Sequence, residues 1–549
     1  MSDKKRIIIA VDYGTTGSTF HWILPNNGQP LIVQPSIQRW PGQPDDAKLK
    51  IPSRIAYPEE NEHLVEQCWG FEIRPGMVAA SWTKCLLAEG LDPEAFRDSS
   101  LDNFLRSGIM RLPPGKSAED VIKDYLRHIY CHIWTRLRAE LHNAETVCPI
   151  LFQFSVPAIW SEAARLSVQR AAEGAGFGSR PQDKIQLLSE PEAVMNVVQK
   201  CPQYVYPPVL VQPGDGVLIC DCGGGTVDLA TYEVTPDQGS GYRELTLGTG
   251  GLCGGTAVDR KFLQWLSDTI GDAFNEAPIE KIGAESEFMR DFERTKRNLH
   301  TQKWPICMEV PIIGAPIPLT ITRNHFYGFL EPVVRRICQL LHEELETART
   351  RAQRYLIKHI VLSGGLSQSQ YLRDAIEQRF GMDGSVKVYY MRDPVGAVAH
   401  GAAISAIDNI PPPVIHICRR HYGLPTSGVF RPGIDDECDS FIHPVDGIKM
   451  VHGGVNWVLS KGETYAEDYV VDHPMGFDYQ KGMPKIHRIA IYDCPSNVPS
   501  SLQRGQEKQE FGLQGIFCLT FQTSIFLGLV IANLAARSYT PSIFMFGCV

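Results

Sequence analysis

Two glycine-rich turns, each entered from an apolar strand through an aspartate, constrain this chain more than any other feature. In the first, the run Ile7 to Val11 reaches Asp12, then Gly14, Thr15, Thr16 and Gly17, and a second extended run follows from Phe20 to Leu24. In the second, Val217 to Cys220 reaches Asp221, then Gly223, Gly224, Gly225 and Thr226, and the chain resumes as a strand carrying Asp228. Both read as strand, tight turn, strand. Turns of this kind leave backbone N–H groups unpaired, and glycine lets a bulky anion approach them with no Cβ in the way. An aspartate at the strand end supplies a hard oxygen, which suits Mg2+ held mostly through water beside phosphates. One such turn is a common hairpin signature. Two, each with its carboxylate, predict a nucleotide clamped between two lobes. A third junction places Gly364 and Gly365 between an apolar strand and a helical pattern of Tyr371, Leu372, Ile376 and Phe380.

These segments resemble the actin-like ATPase superfamily and, within it, the Hsp70 nucleotide-binding domain. AVDYGTTGS looks like that family's first phosphate loop, ICDCGGGTVDLATYEV like its second, and HIVLSGGLSQSQYL like its adenosine loop. LLSEPEAVMNVV (187–198) and DPVGAVAHGAAISA (393–406) resemble the two connecting helices of the hinge. VPAIWSEAARLSVQRAAEGAGF and GTGGLCGGTAVDRKFLQWL match further family segments, so the resemblance runs over residues 5 to 408. It is nearest to the divergent Hsp70-like branch that includes the 12-type heat shock 70 proteins, because the C-terminal third departs from ordinary Hsp70. The implied fold is α/β: a two-lobed actin-like ATPase fold with a small β-rich C-terminal appendage.

The resemblance also implies roles. Gly14, Thr15, Thr16, Gly223, Gly224, Gly225 and Thr226 would hold phosphate oxygens, with Gly254 and Gly255 in a further family glycine segment and Gly364 and Gly365 in the adenosine loop. Asp12 and Asp221 would stand in the outer shell of Mg2+. Glu190, capped by Ser189 at a helix start, and Asp228 would orient water. Glu293, Lys296 and Arg297 match the nucleoside-contacting helix and, at i, i+3 and i+4, share one face. ATP or ADP with Mg2+ is the implied cofactor, and a slow ATPase the implied activity. A nucleotide-holding scaffold without turnover and a small-molecule kinase of the same superfamily are the alternatives.

Departures from the family pattern bear on the chemistry. WGFEIRPG places Arg74 at the family's catalytic lysine, and a guanidinium fork replaces a compact ammonium there. Lys84, in SWTKCLL, is another basic candidate, although a lysine near a helix is usually a surface charge. Gln368 stands where the family stacks an arginine on adenine, His300 replaces a small hydroxyl residue, and Val395 replaces an aspartate, with Asp393 close by. The junction DNIPPPVIHICRR lacks the family's acidic, leucine-rich linker, and too few residues follow for both a β sandwich and a helical lid.

The expected organisation is a first lobe at 1–195, a second at 196–408, a β-rich module at 414–493 that would bind a protein client or co-chaperone, and a tail at 500–549. Pro411, Pro412 and Pro413 mark the main boundary. A net charge of −9 with no long basic run argues against nucleic-acid binding. Fifteen cysteines without a small-domain framework read as reduced thiols of a cytoplasmic protein. His128, Cys131 and His132 share helical spacing but lack a fourth ligand for structural zinc. The apolar tail Ile516 to Ala532 is short and carries Thr520, Gln522, Thr523 and Ser524, which disfavours a membrane span and leaves a buried strand pair and a tail unrelated to the preceding domain as the two alternatives.

Overall fold

The computed structural model describes residues 6–23, 34–35, 39–43, 50–87, 109–141, 148–235, 241–284, 286–299, 303–312, 316–351, 357–382, 384–407, 415–443, 446–466, 470–475, 486–494, 512–520 and 527–532. The chain forms two compact units, residues 1–160 with 164–411 and residues 161–163 with 412–549.

The first unit is built on one sheet plan used twice. β1 (Ile7–Tyr13) and β2 (Gly17–Ile23) make an antiparallel hairpin, and β3 (Ile150–Val156) and β4 (Lys184–Ser189) add in parallel, giving the order β2-β1-β3-β4. β5 (Gly216–Cys222) and β6 (Val227–Val234) repeat the hairpin, and β7 (Ile357–Ser363) and β8 (Lys387–Met391) repeat the parallel addition, giving β6-β5-β7-β8. Every residue of β1, β2, β3, β5 and β6 is buried, the near-continuous apolar pattern of strands covered on both faces.

Helices supply that cover. On the first sheet, α1 (Ala118–Leu141) lays down Val121, Ile122, Tyr125, Ile129, Ile133 and Leu137, a stripe at helical spacing. Between the sheets run α2 (Glu190–Lys200) and α6 (Ala397–Ile407). Their residues Ala193, Val194, Val197, Val398 and Ala402 share one core with Ile8 and Ala10 of the first sheet and Val217, Ile219 and Val361 of the second. The far face of the second sheet carries α3 (Gly255–Ile270), α4 (Glu287–Arg297) and α5 (Arg323–Arg351), whose Phe262, Phe292 and Phe329 pack into a large apolar core.

The second unit is mainly β among its described residues, with a short 3-10 helix at Glu437–Asp439. β9 (His421–Val429), β10 (Lys449–Leu459), β12 (Ile486–Cys494) and β13 (Gly512–Thr520) form an antiparallel sheet edged by Ser440–Ile442, while β11 (Val470–Met475) pairs with β14 (Leu527–Ala532). The boundary expected between 493 and 500 is therefore crossed by strand pairing: the apolar tail contributes β13 and β14 to partners on its N-terminal side. Among the described residues no helix is long and apolar enough to cross a membrane.

Candidate functional site

The duplicated plan sets the two aspartates in equivalent places. Asp12 lies opposite Thr19 in its hairpin and beside Ser155 of β3; Asp221 lies opposite Asp228 and beside Ser363 of β7. The turns that follow meet each other. A Cβ on Gly224 would fall 2.2 Å from Thr16 Oγ1, and one on Gly225 would fall 2.6 Å from Thr15 Oγ1. The amides of Gly254, Gly255 and Thr256 donate to the carbonyls of Gly225, Gly223 and Gly224 at 3.2, 3.0 and 2.8 Å, bracing the second loop from behind. Gly364, at φ +80°, turns the third loop under Cys222, where a Cβ would lie 2.3 Å from the carbonyl oxygen.

A cavity of about 580 Å³ opens between the loops. Of the residues singled out in the sequence, Asp12, Gly14, Thr15, Thr16 and Glu190 line it from the first sheet's side. Asp221, Gly223, Gly224, Gly225, Thr226 and Gly255 line it from the second, and Glu293, Lys296, Arg297, Gly364 and Gly365 reach its far end. Asp228 is buried behind Asp221 and Gly254 behind the second loop, so neither forms the wall. Gln368 and Val395 do.

Arg74 is a correction. It lies exposed and away from the cavity, its amide bonded to Met77 Sδ. The short helix Thr83–Leu87 instead carries Lys84 inward, to 2.5 Å from Glu190 Oε1, with side-chain exposures of 5% and 9%. Lys84 is thus a buried site residue rather than a surface charge. Burial would lower its pKa, but Glu190 and Asp12 outweigh it and raise the value. The apolar setting Trp82, Cys85, Leu86, Leu87 was the available signal, since a solvated lysine needs no such surroundings.

Lys50 went unnoticed in the sequence. Ile51–Pro52 pairs with Gly17–Ser18, which brings the preceding Lys50 under the first loop, Nζ 2.6 Å from Asp12 Oδ2. Ser155 Oγ donates to Asp12 Oδ1 at 3.0 Å. Burial opposes ionisation of Asp12, yet Lys50 and then Lys84 prevail and lower its pKa. The equivalent Asp221 has the opposite environment: burial first, then Glu190 and Asp228, push it up to about 8. Burial and Glu190 push Asp228 up to about 7; the nearby Thr226 hydroxyl and Ile159 amide offset part of this and fall outside hydrogen-bond geometry. Asp221 Oδ1 and both oxygens of Asp228 are buried without a hydrogen-bond partner.

At the far end, Ser286 caps α4 by accepting from Met289 N–H at 3.1 Å. Lys296 reaches Asp259 of α3 at 2.5 Å and Glu293 at 2.6 Å, and Arg297 reaches Glu293 at 2.7 Å. The three residues do share a face, but they are tied into an ion-pair network with Asp259, which with Arg260 also lines the cavity and was not singled out in the sequence. His300 lies outside the described residues. His132 and His128 stack on Trp40 and Trp69, with centroids 5.0 and 5.3 Å apart, as packing. Among the described residues no three His, Cys, Asp or Glu side chains converge to ligate a metal directly.

Two abutting glycine loops on a duplicated sheet, with connecting helices packed between the halves, define the actin-like class of two-lobed nucleotide-clamping folds. Comparison with known proteins narrows this. The Hsp70 protein family matches residues 153–409. The chain is 22% identical over 413 residues to the chaperone protein DnaK of Thermosipho melanesiensis, covering 74% of this chain and 60% of that protein. It is 21% identical over 549 residues to heat shock 70 kDa protein 12B of Homo sapiens, covering 84% and 75%. The chain spans about 60% of the length of the DnaK relatives it matches. It is an Hsp70-like member of the actin-like ATPase superfamily.

Proposed function

We propose that the chain binds ATP and ADP with Mg2+ in this cleft, hydrolyses ATP slowly, and uses nucleotide-dependent closure to regulate the affinity of its C-terminal module for a protein client or co-chaperone. The observation that carries the reading is the pairing of the abutting glycine loops with the unpartnered buried oxygens of Asp221 and Asp228. Buried unpaired carboxylate oxygens are costly, and a hydrated divalent cation beside phosphates would relieve that cost. The residues fit such a group: the loops offer backbone donors and space only where glycine stands, and Asp221 offers a hard oxygen to the cavity with the Asp228 carboxylate behind it. Mg2+, when bound, neutralises phosphate charge.

The chain's own residues would do the rest. Thr15, Thr16 and Thr226 would donate hydroxyls to phosphate oxygens, and Lys84 would place its charge beside the terminal phosphate. Glu190 would orient the attacking water. Lys84 holds Glu190 at 2.5 Å, which supports a slow turnover and gives the nucleotide-holding scaffold its strongest footing. Thirteen of the cysteines, among them Cys85, Cys220 and Cys222, are free thiols, and a cytoplasmic location belongs to the same reading.

The test is a single-turnover experiment on the full chain with limiting labelled Mg-ATP, counting bound nucleotide and separating ATP from ADP over time. Slow conversion supports the ATPase, and binding without conversion supports the scaffold. Absence of binding overturns both.

A further inference from the structure

We propose that Lys50 is a resident cation of the nucleotide site: its ammonium occupies Asp12, so the divalent ion is served from the second hairpin, through Asp221 with Asp228 behind it, and nucleotide stays bound when that ion is removed. The inference deepens the nucleotide reading above and rests on it.

The two aspartates hold equivalent positions in equivalent hairpins, and symmetry alone would give both to the metal. Their surroundings separate them. Each oxygen of Asp12 already accepts a hydrogen bond, Oδ1 from Ser155 at 3.0 Å and Oδ2 from Lys50 at 2.6 Å. In the second hairpin Asp221 Oδ1 and both oxygens of Asp228 have none, nor does Ser363 Oγ of the neighbouring β7. One carboxylate is neutralised by the chain, and the other pair awaits a cation.

Lys50 is built into its place. Its backbone precedes the residues that pair with Gly17 and Ser18, and its stem lies against Gly17, where an added Cβ would meet Lys50 Cβ at 3.1 Å and Ile51 O at 3.2 Å. The ammonium would stand 3.8 Å from a Cβ on Gly14, beside the phosphate loop, and the side chain lines the cavity at 27% exposure. An ammonium has three donors, and one is spent on Asp12. The others can reach phosphate oxygens, as a point charge that does not depend on a metal. Asp12, expected from the sequence to share the metal, instead positions Lys50.

The test measures equilibrium binding of ADP to the full chain, in excess Mg2+ and in EDTA, for the wild type, Lys50→Met and Lys50→Arg. Removing Mg2+ should weaken binding to the wild type by less than about tenfold and to Lys50→Met by about a hundredfold or more. Lys50→Arg, which keeps the charge, should behave like the wild type. A wild type that loses affinity in EDTA by a hundredfold overturns the resident cation while leaving nucleotide binding intact, and needs no variant. A wild type that binds ADP in neither condition overturns the nucleotide reading as well. Thermal unfolding of each variant shows whether it is folded; if Lys50→Met is not, the wild type and Lys50→Arg decide.

Discussion

Asp221 and Asp228 stand directly opposite one another in the β5–β6 hairpin, two buried carboxylates at a cross-strand position where like charges repel. With the pKa of Asp221 raised to about 8 and that of Asp228 to about 7, the folded chain holds protons that the unfolded chain releases above about pH 4. Their contribution to stability is therefore fully present below about pH 4 and is lost as pH rises through the folded values. Asp228→Asn should remove part of that loss. Without nucleotide or metal, the melting temperature of Asp228→Asn relative to the wild type should climb from pH 5 to pH 8, while its Mg-ADP affinity falls. Melting curves across that window check the first claim; a difference that stays flat or shrinks would count against the paired titration.

Lys84, not Arg74, should govern hydrolysis. Lys84→Met should slow single-turnover conversion by about a hundredfold, the scale of losing one positioned charge or proton-transfer partner. Arg74→Ala should leave it within about twofold, since substitutions away from the site usually have small effects. Removing Lys84 also leaves Glu190 buried and unpaired, at a cost on the order of 3–5 kcal/mol. The double variant Lys84→Met, Glu190→Gln should regain stability without regaining turnover. Equal loss from Arg74→Ala would move the site's centre of charge away from Lys84.

The sequence and the structure agree where a residue's role follows from its own local pattern. An apolar run ending in Asp12 or Asp221 and then glycine specifies a hairpin, and the hairpin alone brings its aspartate to the sheet's end. Ser189, Glu190 and Pro191 announce a helix start by the same local logic. The misplaced residues are those whose position depends on distant pairing. Lys50 reaches Asp12 only because Ile51–Pro52 pairs with β2, and Lys84 reaches Glu190 from a short helix over 100 residues away in the chain. Arg74 lies in a weakly patterned stretch of the chain, where a shift of ten residues moves the charge to another element, that of Lys84. Asp259 was hidden because its partner Lys296 lies on a different helix. The tail's strands were ambiguous for a further reason: a short apolar run carries no period that separates a strand from a buried helix.

The contact between the two glycine loops should be sensitive to a single methyl group. Gly224→Ala places a Cβ where Thr16 Oγ1 is 2.2 Å away, closer than real Cβ contacts come. Thr16 must move or the loops must part, and a misplaced site can lose about a hundredfold. ADP affinity should drop by about tenfold or more, with little change in melting temperature because the loop is at the cleft rather than in a core. Thr16→Ala should partly restore binding to Gly224→Ala by removing the hydroxyl. Independent, additive losses in the double variant would refute the contact.

Gly401 should be the most sensitive position of the connecting helices. It lies in α6 against α2, and an added Cβ would sit 1.8 Å from the Ala193 carbonyl oxygen and 2.5 Å from its carbon. Glycine is what allows the backbones to approach so closely, and the core around the crossing contains residues of both sheets. Gly401→Ala must push the helices apart, an overpacking cost of about 1–3 kcal/mol. Ser405, on the same helix but only partly buried, donates to the Ala402 carbonyl and touches no such crossing in that bond. Ser405→Ala should therefore lower the melting temperature far less than Gly401→Ala. Because the displaced helices join the halves that carry the two glycine loops, Gly401→Ala should also weaken ADP binding although it does not line the cavity. A variant that is destabilised yet binds ADP as the wild type does would confine the crossing to stability and remove it from closure.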